Sequence, residues 1–463
     1  MNKRPNILWI CTDQQRYDTI GALGYPHIHT PQLDRLAREG VAFTHAFCQS
    51  PICTPSRASF LTGRYPSAIR ASTNGNAHWA DAAPLVTKLL ADAGYDCGLA
   101  GKLHLAGAQG RIEPRPDDGY RVFEWSHGQQ DLWPHGHAYA DWLAAQGFSL
   151  AEMRKTPNAI PPALHQTTWC TDRAIDFISQ PRETPWLMSV NVFDPHPPFD
   201  PPDSYLTRYP VDDMPDPLFR DGDLEAQAAL AGVDFQSQPR HPDAIDARRV
   251  CAAYYAMIEL IDDNVGRLLN ALEQTGQRQN TLVIFMSDHG EMLGDHGLLQ
   301  KGCRFYEGLV RVPLIFSQPG TLPSGVTHDA LVELTDIAPT LLEIAGVTDA
   351  PPMHGRSLLP LLLGERTTHR ESVRAEYYHT LNPRDFPGFS GSYGTMLRTP
   401  RYKLNVYHGH ALGELFDLEA DPDEFDNRWD DPALTAVKLD LLKQSFDALA
   451  LAVDLGPAQV TRF

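Results

Sequence analysis

Cys53 is the residue with the most chemistry gathered around it. It opens the string Cys53-Thr-Pro-Ser-Arg57, which runs on through ASFLTGR to Arg64. Pro55 suits the first turn of a helix and Thr54 suits the capping position before it. The spacing therefore predicts a helix with residue 53 beside its N-terminus, where free N–H groups favour an anion. Arg57, one turn further in, is placed to brace the oxygens that residue 53 would carry. A lone cysteine before a helix is ordinarily a buried small apolar residue. Its company sets this one apart: the chain also holds the groups Asp13-Gln14, Lys102-Leu-His104, Asp194-Pro-His196 and Asp288-His289. Carboxylates, imidazoles and an ammonium are the groups that bind cations, neutralise anions and move protons.

These groups need elements that carry them to one place. Residues 6–13 (NILWICTD) form an apolar run without alternation, as expected of a strand buried on both faces of a parallel sheet. Residues 96–101, 183–193, 280–288 and 312–316 read as further strands. Residues 29–39, 55–62, 83–93, 249–275 and 331–344 read as helices. The alternation predicts an α/β fold with a large, mainly parallel sheet flanked by helices on both faces. In such sheets ligands bind beyond the carboxyl ends of the strands, which is where all four groups stand. Residues 195–248, dense in Pro, Asp and Gln, read as a long surface excursion. After about residue 365 the composition shifts. Residues 395–406 and 414–418 read as strands of a small antiparallel sheet and 434–451 as a helix. The expected organisation is a catalytic domain over 1–365 and a C-terminal α+β subdomain over 366–463.

Composition narrows the partners. The chain has 463 residues, 42% hydrophobic and 21% charged, which is ordinary for a soluble globular protein. A net charge of −19 argues against nucleic acid or an anionic membrane as partner. Any anion site must be assembled locally from a few cations. The seven cysteines, at 11, 48, 53, 97, 170, 251 and 303, are scattered and lack C-x-x-C spacing, so neither a disulfide framework nor a zinc site is expected. The N-terminal apolar run spans only residues 7–11, too short for a signal peptide, and no stretch approaches a membrane span. The expected location is the cytoplasm.

C-x-P-S-R followed by L-T-G-R, here Cys53, Pro55, Ser56, Arg57, Leu61, Thr62, Gly63 and Arg64, resembles the signature of the type I, formylglycine-dependent sulfatases of the alkaline phosphatase superfamily. The likeness extends over nearly the whole chain: TDQQR (12–16), GKLH (101–104), His196, SDHG (287–290), Lys301, YEG (306–308), VRVPLI (310–315), RYKL (401–404) and GELFDLEADPDE (413–424). The resemblance implies a sulfuric ester hydrolase whose Cys53 is oxidised to formylglycine by a maturation enzyme. It implies one divalent metal held by Asp13, Gln14, the modified Cys53, Asp288 and His289. Mostly oxygen donors suit a hard cation, Ca²⁺ foremost, with Mg²⁺ and Mn²⁺ open. Many sulfatases carry Asp-Asp where this chain has Asp13-Gln14, and some carry Asn at position 289. Gln offers an uncharged carbonyl oxygen, so this site is less negative than theirs.

The implied catalytic set is Cys53, Arg57, Lys102, His104, His196 and Lys301. Lys102, Lys301 and His104 clamp the sulfate, and His196 protonates the leaving oxygen with help from Lys301. A positioned acid of this kind contributes about 10²–10⁴-fold. The two hydroxyls of a hydrated aldehyde allow one to take the sulfur and the other to drive its release. Substrate binding is assigned to Lys102, His196, Lys301 and Arg304, the last for a substrate carboxylate if it is not plain surface charge. Weaker candidates are Asn74, Asn76 and His78 in the TNGNAH loop, Tyr377, Tyr378, His379 and Arg384 near the C-terminal subdomain, and Trp125 and Trp133 as pocket walls. The expected substrate is a small organic or saccharide sulfate. The nearest alternative is a phosphonate monoester or phosphate diester hydrolase, which shares the fold and the Asp-Gln and Asp-His pairs but generally lacks Lys-x-His. A non-catalytic glycan- or anion-binding protein is a third reading.

Overall fold

In a computed structural model, which describes residues 4–80, 83–108, 112–128, 136–230, 238–378 and 392–453, the first apolar run forms β1 (Asn6–Thr12), buried along its full length. The sheet it belongs to also contains β2 (Val41–Phe47), β3 (Asp96–Gly101), β4 (Val122–Trp125), β5 (Trp186–Asn191), β6 (Thr281–Ser287), β7 (Arg311–Ser317), β8 (Val326–His328) and β9 (Val332–Glu333). The strand order is β4-β3-β5-β1-β6-β7-β2-β8, with β9 alongside β2. All pairings are parallel except those of β7, which runs antiparallel to both β6 and β2.

Alternate residues of β1 serve two cores, because successive side chains of a strand leave opposite faces. Ile7, Trp9 and Cys11 pack with Phe43, Phe60 and Leu314 on one face. Leu8 and Ile10 pack with Trp169, Val265 and Leu269 on the other. The second face is covered by α1 (Pro31–Arg38), the helix Gln166–Ile178 and the long helix Ala247–Gln274. The first is covered by α2 (Cys53–Thr62), α3 (Val86–Asp92) and the helix Ile337–Ile344. All seven cysteines are buried.

Two elements differ from the sequence expectation. The helix expected from 331 starts only at Ile337; the residues before it form β9, pairing with β2, and a turn closed by a reciprocal Glu333–Asp336 capping box. The stretch 395–406 is two strands, β11 (Tyr393–Arg398) and β12 (Tyr402–Tyr407), with a turn between them. With β10 (Val373–Tyr378) and β13 (Leu412–Asp417) they make a four-stranded antiparallel sheet, against which the helix Thr435–Leu451 packs. No helix among the described residues is long and apolar enough to cross a membrane.

A buried ionic seam joins this small sheet to the large one. The Lys403 ammonium of β12 sits 2.8 Å from Glu307, 2.7 Å from Glu424 and 2.9 Å from the Phe305 carbonyl. Burial disfavours ionisation of Glu307, but Lys403, Arg398 and Arg311 overcome it and lower its carboxyl from the ordinary 4.5 to about 2. A depressed carboxylate contributes stability that is complete above its unfolded value and lost as pH falls through its folded one. The stability advantage of the wild type over Glu307→Gln should therefore be constant above about pH 4.5 and shrink toward pH 2, by at most about 3 kcal/mol. Urea unfolding of both proteins across that range reads it. A difference that does not change with pH would mean that the seam does not hold Glu307 ionised.

Candidate active site

β3, β5, β1 and β6 are neighbours, and their carboxyl ends open onto one edge of the sheet. Adjacent strands lie about 4.8 Å apart, so side chains from all four ends reach a common centre. β2 delivers its chain to the same edge, where the Cys48 N–H bonds the Val310 carbonyl at 2.9 Å before the turn into α2. Gly101 closes β3 at φ +107°, and a Cβ there would lie 2.0 Å from the Asn191 carbonyl oxygen. Only glycine allows so close a pass immediately before Lys102. Gly290 is required for the same reason after His289, since its Cβ would meet the Gly308 carbonyl oxygen at 2.0 Å.

Cys53 is itself the first residue of α2. The expected cap by Thr54 does not form: its hydroxyl has no hydrogen-bond partner. The Thr54 N–H donates instead to Asn74 Oδ1 at 2.8 Å, so the TNGNAH loop caps the helix from outside. The Cys53 Sγ lies in a polar cluster, 3.1 Å from Lys301 Nζ, 3.3 Å from His289 Nε2 and 3.6 Å from Asp13 Oδ1. His104 and His196 both hydrogen-bond it. Burial alone would raise the thiol, but Lys102, Lys301 and His289 together with the His104 bond hold it well below its ordinary value. The thiol thus sits among cations that favour its ionised form.

Arg57 braces the carboxylates beside residue 53 and not residue 53 itself. Its Nε donates to Asp288 Oδ2 at 2.9 Å, its Nη2 to Asp13 Oδ2 at 3.1 Å and its Nη1 to the Lys102 carbonyl at 3.0 Å. Lys102 Nζ completes the arrangement on Asp13 Oδ2 at 2.5 Å. Asp288 Oδ1 accepts from the backbone N–H groups of Gln14 and His289 at 3.0 and 2.9 Å. Burial and the Cys53 sulfur oppose ionisation of Asp13, yet Lys102, His196 and Arg57 keep it ionised well below the usual carboxylate range.

The donor set fits a divalent cation. Ligand atoms from Asp13, Cys53, Asp288 and His289 all lie within 4.8 Å of one another. His289 donates Nδ1–H to the Gly290 carbonyl at 2.9 Å, which leaves the Nε2 lone pair for a ligand. The Gln14 amide oxygen faces the same space, 2.8 Å from Lys301 Nζ. Gln14 and His104 both have positive φ, 73° and 57°, a backbone cost of order 1–3 kcal/mol each that is concentrated here.

Two carboxylates that sequence reasoning passed over hold the site loops. Glu113 accepts the backbone N–H groups of His104 and Ala106 at 2.8 and 2.9 Å, that of Leu105, and the Trp125 Nε1–H at 3.1 Å. Trp125 is therefore a buried support for this loop. Glu291 holds Gln14 and is treated below. The open side of the cluster is framed by His196, Lys301 and His127, which are half-buried, while Asp13, Cys53 and Lys102 are sealed beneath. His127 packs edge-on against His104 with centroids 4.7 Å apart, and Phe193 lies between His127 and His196.

Other candidates fall elsewhere. Arg304 is not surface charge: it is fully buried, donating to Gln227 Oε1 at 2.9 Å and to the Cys303 carbonyl at 3.0 Å, and neither partner belongs to the cluster. Tyr377 is buried in the core. Tyr378 pairs with Tyr393. The Asn76 carbonyl accepts from the Gly107 N–H at 2.6 Å, and His78 is exposed. Trp133, His379 and Arg384 lie outside the described residues.

A mainly parallel α/β sheet that gathers a cysteine, cations and an Asp-Cys-Asp-His group able to hold a metal ion at its carboxyl edge fits a hydrolase of anionic esters, of the alkaline phosphatase superfamily. The sulfatase family profile matches residues 5–347, and one described as N-sulphoglucosamine sulphohydrolase, C-terminal, matches 294–450. An arylsulfatase of Clostridium perfringens is 31% identical over 92% of this chain and 90% of its own length. A choline-sulfatase of Rhizobium meliloti is 30% identical over 93% of this chain and 83% of its own. The crystal structure of a phosphonate monoester hydrolase of Agrobacterium radiobacter superposes with a TM-score of 0.84 at 28% identity, covering 99% of this chain and 98% of that one. The chain belongs to the sulfatase family and is a sulfuric ester hydrolase.

Proposed function

We propose that this enzyme hydrolyses a small organic sulfate monoester, a sugar sulfate or a comparable ester, with residue 53 in its formylglycine form and a divalent cation between Asp13, Gln14, Asp288 and His289. The observation that carries the reading is the placement of Cys53 Sγ, 3.1 Å from Lys301 and 3.6 Å from Asp13 within a sealed cationic cage. A hydrated aldehyde at residue 53 supplies an oxygen nucleophile in place of a thiol, and the cation offsets sulfate charge.

The chain's own groups do the rest. Lys102 and Lys301 flank residue 53 and hold the sulfate oxygens where charge develops. His196 donates Nδ1–H to the Pro197 carbonyl at 2.7 Å and turns Nε2 toward the cluster. Burial and the Lys301 ammonium lower its imidazole to about 4, so it is neutral in the free enzyme. The negative charge of an arriving sulfate raises its proton affinity, so ester binding itself arms the acid that protonates the leaving oxygen. That oxygen lies toward the open rim, where His196 and Lys301 stand.

A second reading, phosphonate monoester hydrolysis, is favoured by the structural neighbour and by the Asp-Gln and Asp-His pairs. Against it stands the Lys102-Leu-His104 pair, whose ammonium contacts Asp13 and whose imidazole bonds the sulfur. Peptide mass analysis of the residue 53 fragment from a host with maturation enzyme should show the mass lost when the side chain –CH₂SH becomes –CHO. The same preparation should turn over an aryl sulfate faster than an aryl phosphonate monoester. Turnover by wholly unconverted protein would end the formylglycine reading, and a preference for the phosphonate would end the sulfatase assignment of the site.

A further inference from the structure

Glu291 is completely buried, three residues beyond Asp288, and its side chain holds both Gln14 and the segment that leads into Lys301. One carboxylate oxygen accepts from the amide nitrogen of Gln14. The other accepts from the backbone N–H groups of Leu293, at 3.1 Å, and Gln300, the residue before Lys301. Arg16 Nη1 pins the Glu291 carbonyl at 2.9 Å. The Gln14 main chain is held separately by the Tyr254 hydroxyl, which donates to its carbonyl at 2.6 Å.

The Gln14 amide nitrogen and the Leu293 and Gln300 N–H groups all donate to Glu291, so both of its side-chain oxygens serve here as acceptors. An amide beside it must turn its nitrogen inward, which turns its oxygen outward. The Gln14 oxygen accordingly faces Lys301 and the metal cradle. We propose that Glu291 is a positioning residue that selects which atom of Gln14 faces the cation, and that residue 291 thereby dictates which residue can serve at position 14. The proposal rests on the reading of Asp13, Gln14, Asp288 and His289 as a metal centre.

Exchanging the partners tests it. In Glu291→Gln, one side-chain oxygen is still claimed by the Leu293 and Gln300 N–H groups, so the new amide nitrogen faces Gln14. Gln14 must then turn its oxygen to it and its own nitrogen to the cation, which cannot ligate a metal. Gln14→Glu alone places two buried carboxylates in contact, and one must be protonated or displaced. In the double variant Gln14→Glu/Glu291→Gln the new amide donates to the carboxylate introduced at position 14, whose second oxygen again faces the cation.

The experiment titrates Ca²⁺ and Mn²⁺, each alone, into metal-stripped full-length protein carrying unmodified Cys53, by calorimetry, with thermal unfolding as the check on folding. Glu291→Gln should weaken cation binding by about 10–100-fold, the usual scale for a residue that orients a ligand. The double variant should return to the wild-type affinity or exceed it. Wild-type protein that binds neither cation removes the metal-centre reading and the proposal with it. Wild-type binding with an unchanged Glu291→Gln affinity, or with a double variant as weak as the single, overturns the proposal alone. If either single variant fails to fold, the double decides: folded with restored affinity supports the proposal, and unfolded or weak-binding overturns it.

Discussion

Cys53→Ala should fold, melt within a few degrees of the wild type, and lose sulfate-ester turnover on the order of 10⁶-fold, the scale reached when an enzyme loses its nucleophile. The side chain is sealed in the cluster, so the change removes one sulfur atom and leaves the ion pairs of Arg57 and Lys102 in place. Stability should move by about 1 kcal/mol. The remaining cations still hold a sulfate, so substrate binding should survive as inhibition by inorganic sulfate. Steady-state rates with an aryl sulfate, set beside unfolding curves, read both quantities. Activity within tenfold of wild type would show that residue 53 is not the nucleophile.

Removing the guanidinium at position 57 should be the most destabilising single change at the site. Arg57 is fully buried and is shared by Asp13 and Asp288, and Arg57→Met fills its space without its charge. Two buried carboxylates then face each other with Lys102 as the nearest cation. Breaking a buried pair by deleting one partner costs about 3–5 kcal/mol, because the survivor keeps its desolvation penalty. Saturating Ca²⁺ should narrow the gap between variant and wild type, since a cation between the carboxylates substitutes for the missing charge. Urea unfolding with and without Ca²⁺ measures this. A loss below about 1 kcal/mol would mean that the carboxylates are neutral in the folded chain and that Arg57 is packing.

The two positions also mark what the sequence could and could not convey. Asp13, Lys102, His196 and Asp288 were legible because each follows an apolar run buried on both faces, and such runs announce their own carboxyl ends. Lys403 and Glu307 were legible as motif residues, but their use was not. They turn out to be two halves of one buried seam, a pairing between segments 96 residues apart that no local pattern encodes. Thr54 had the right type and spacing to cap α2, yet Asn74 does so from a loop 20 residues away. Glu113 and Glu291 carried no signal, since an isolated glutamate in a loop reads as solvated until the loop is known to fold inward. Arg304 stands three residues from Lys301, and sequence proximity suggested a shared role. The turn at Gly302-Cys303 instead sends its guanidinium toward Gln227. β2 and β10 went unread because VAFTHAF and VRAEYY place polar residues within runs too short to settle their period.

The sealed depth of Asp13, Cys53 and Lys102 below the His196–Lys301–His127 rim imposes a sequence of departures. With the sulfate held deepest, as proposed, it can escape only after the rim is clear, so the alcohol should go first and inorganic sulfate last. Free sulfate then competes with incoming ester for the same empty enzyme. Turnover should therefore slow as the released anion accumulates around the enzyme.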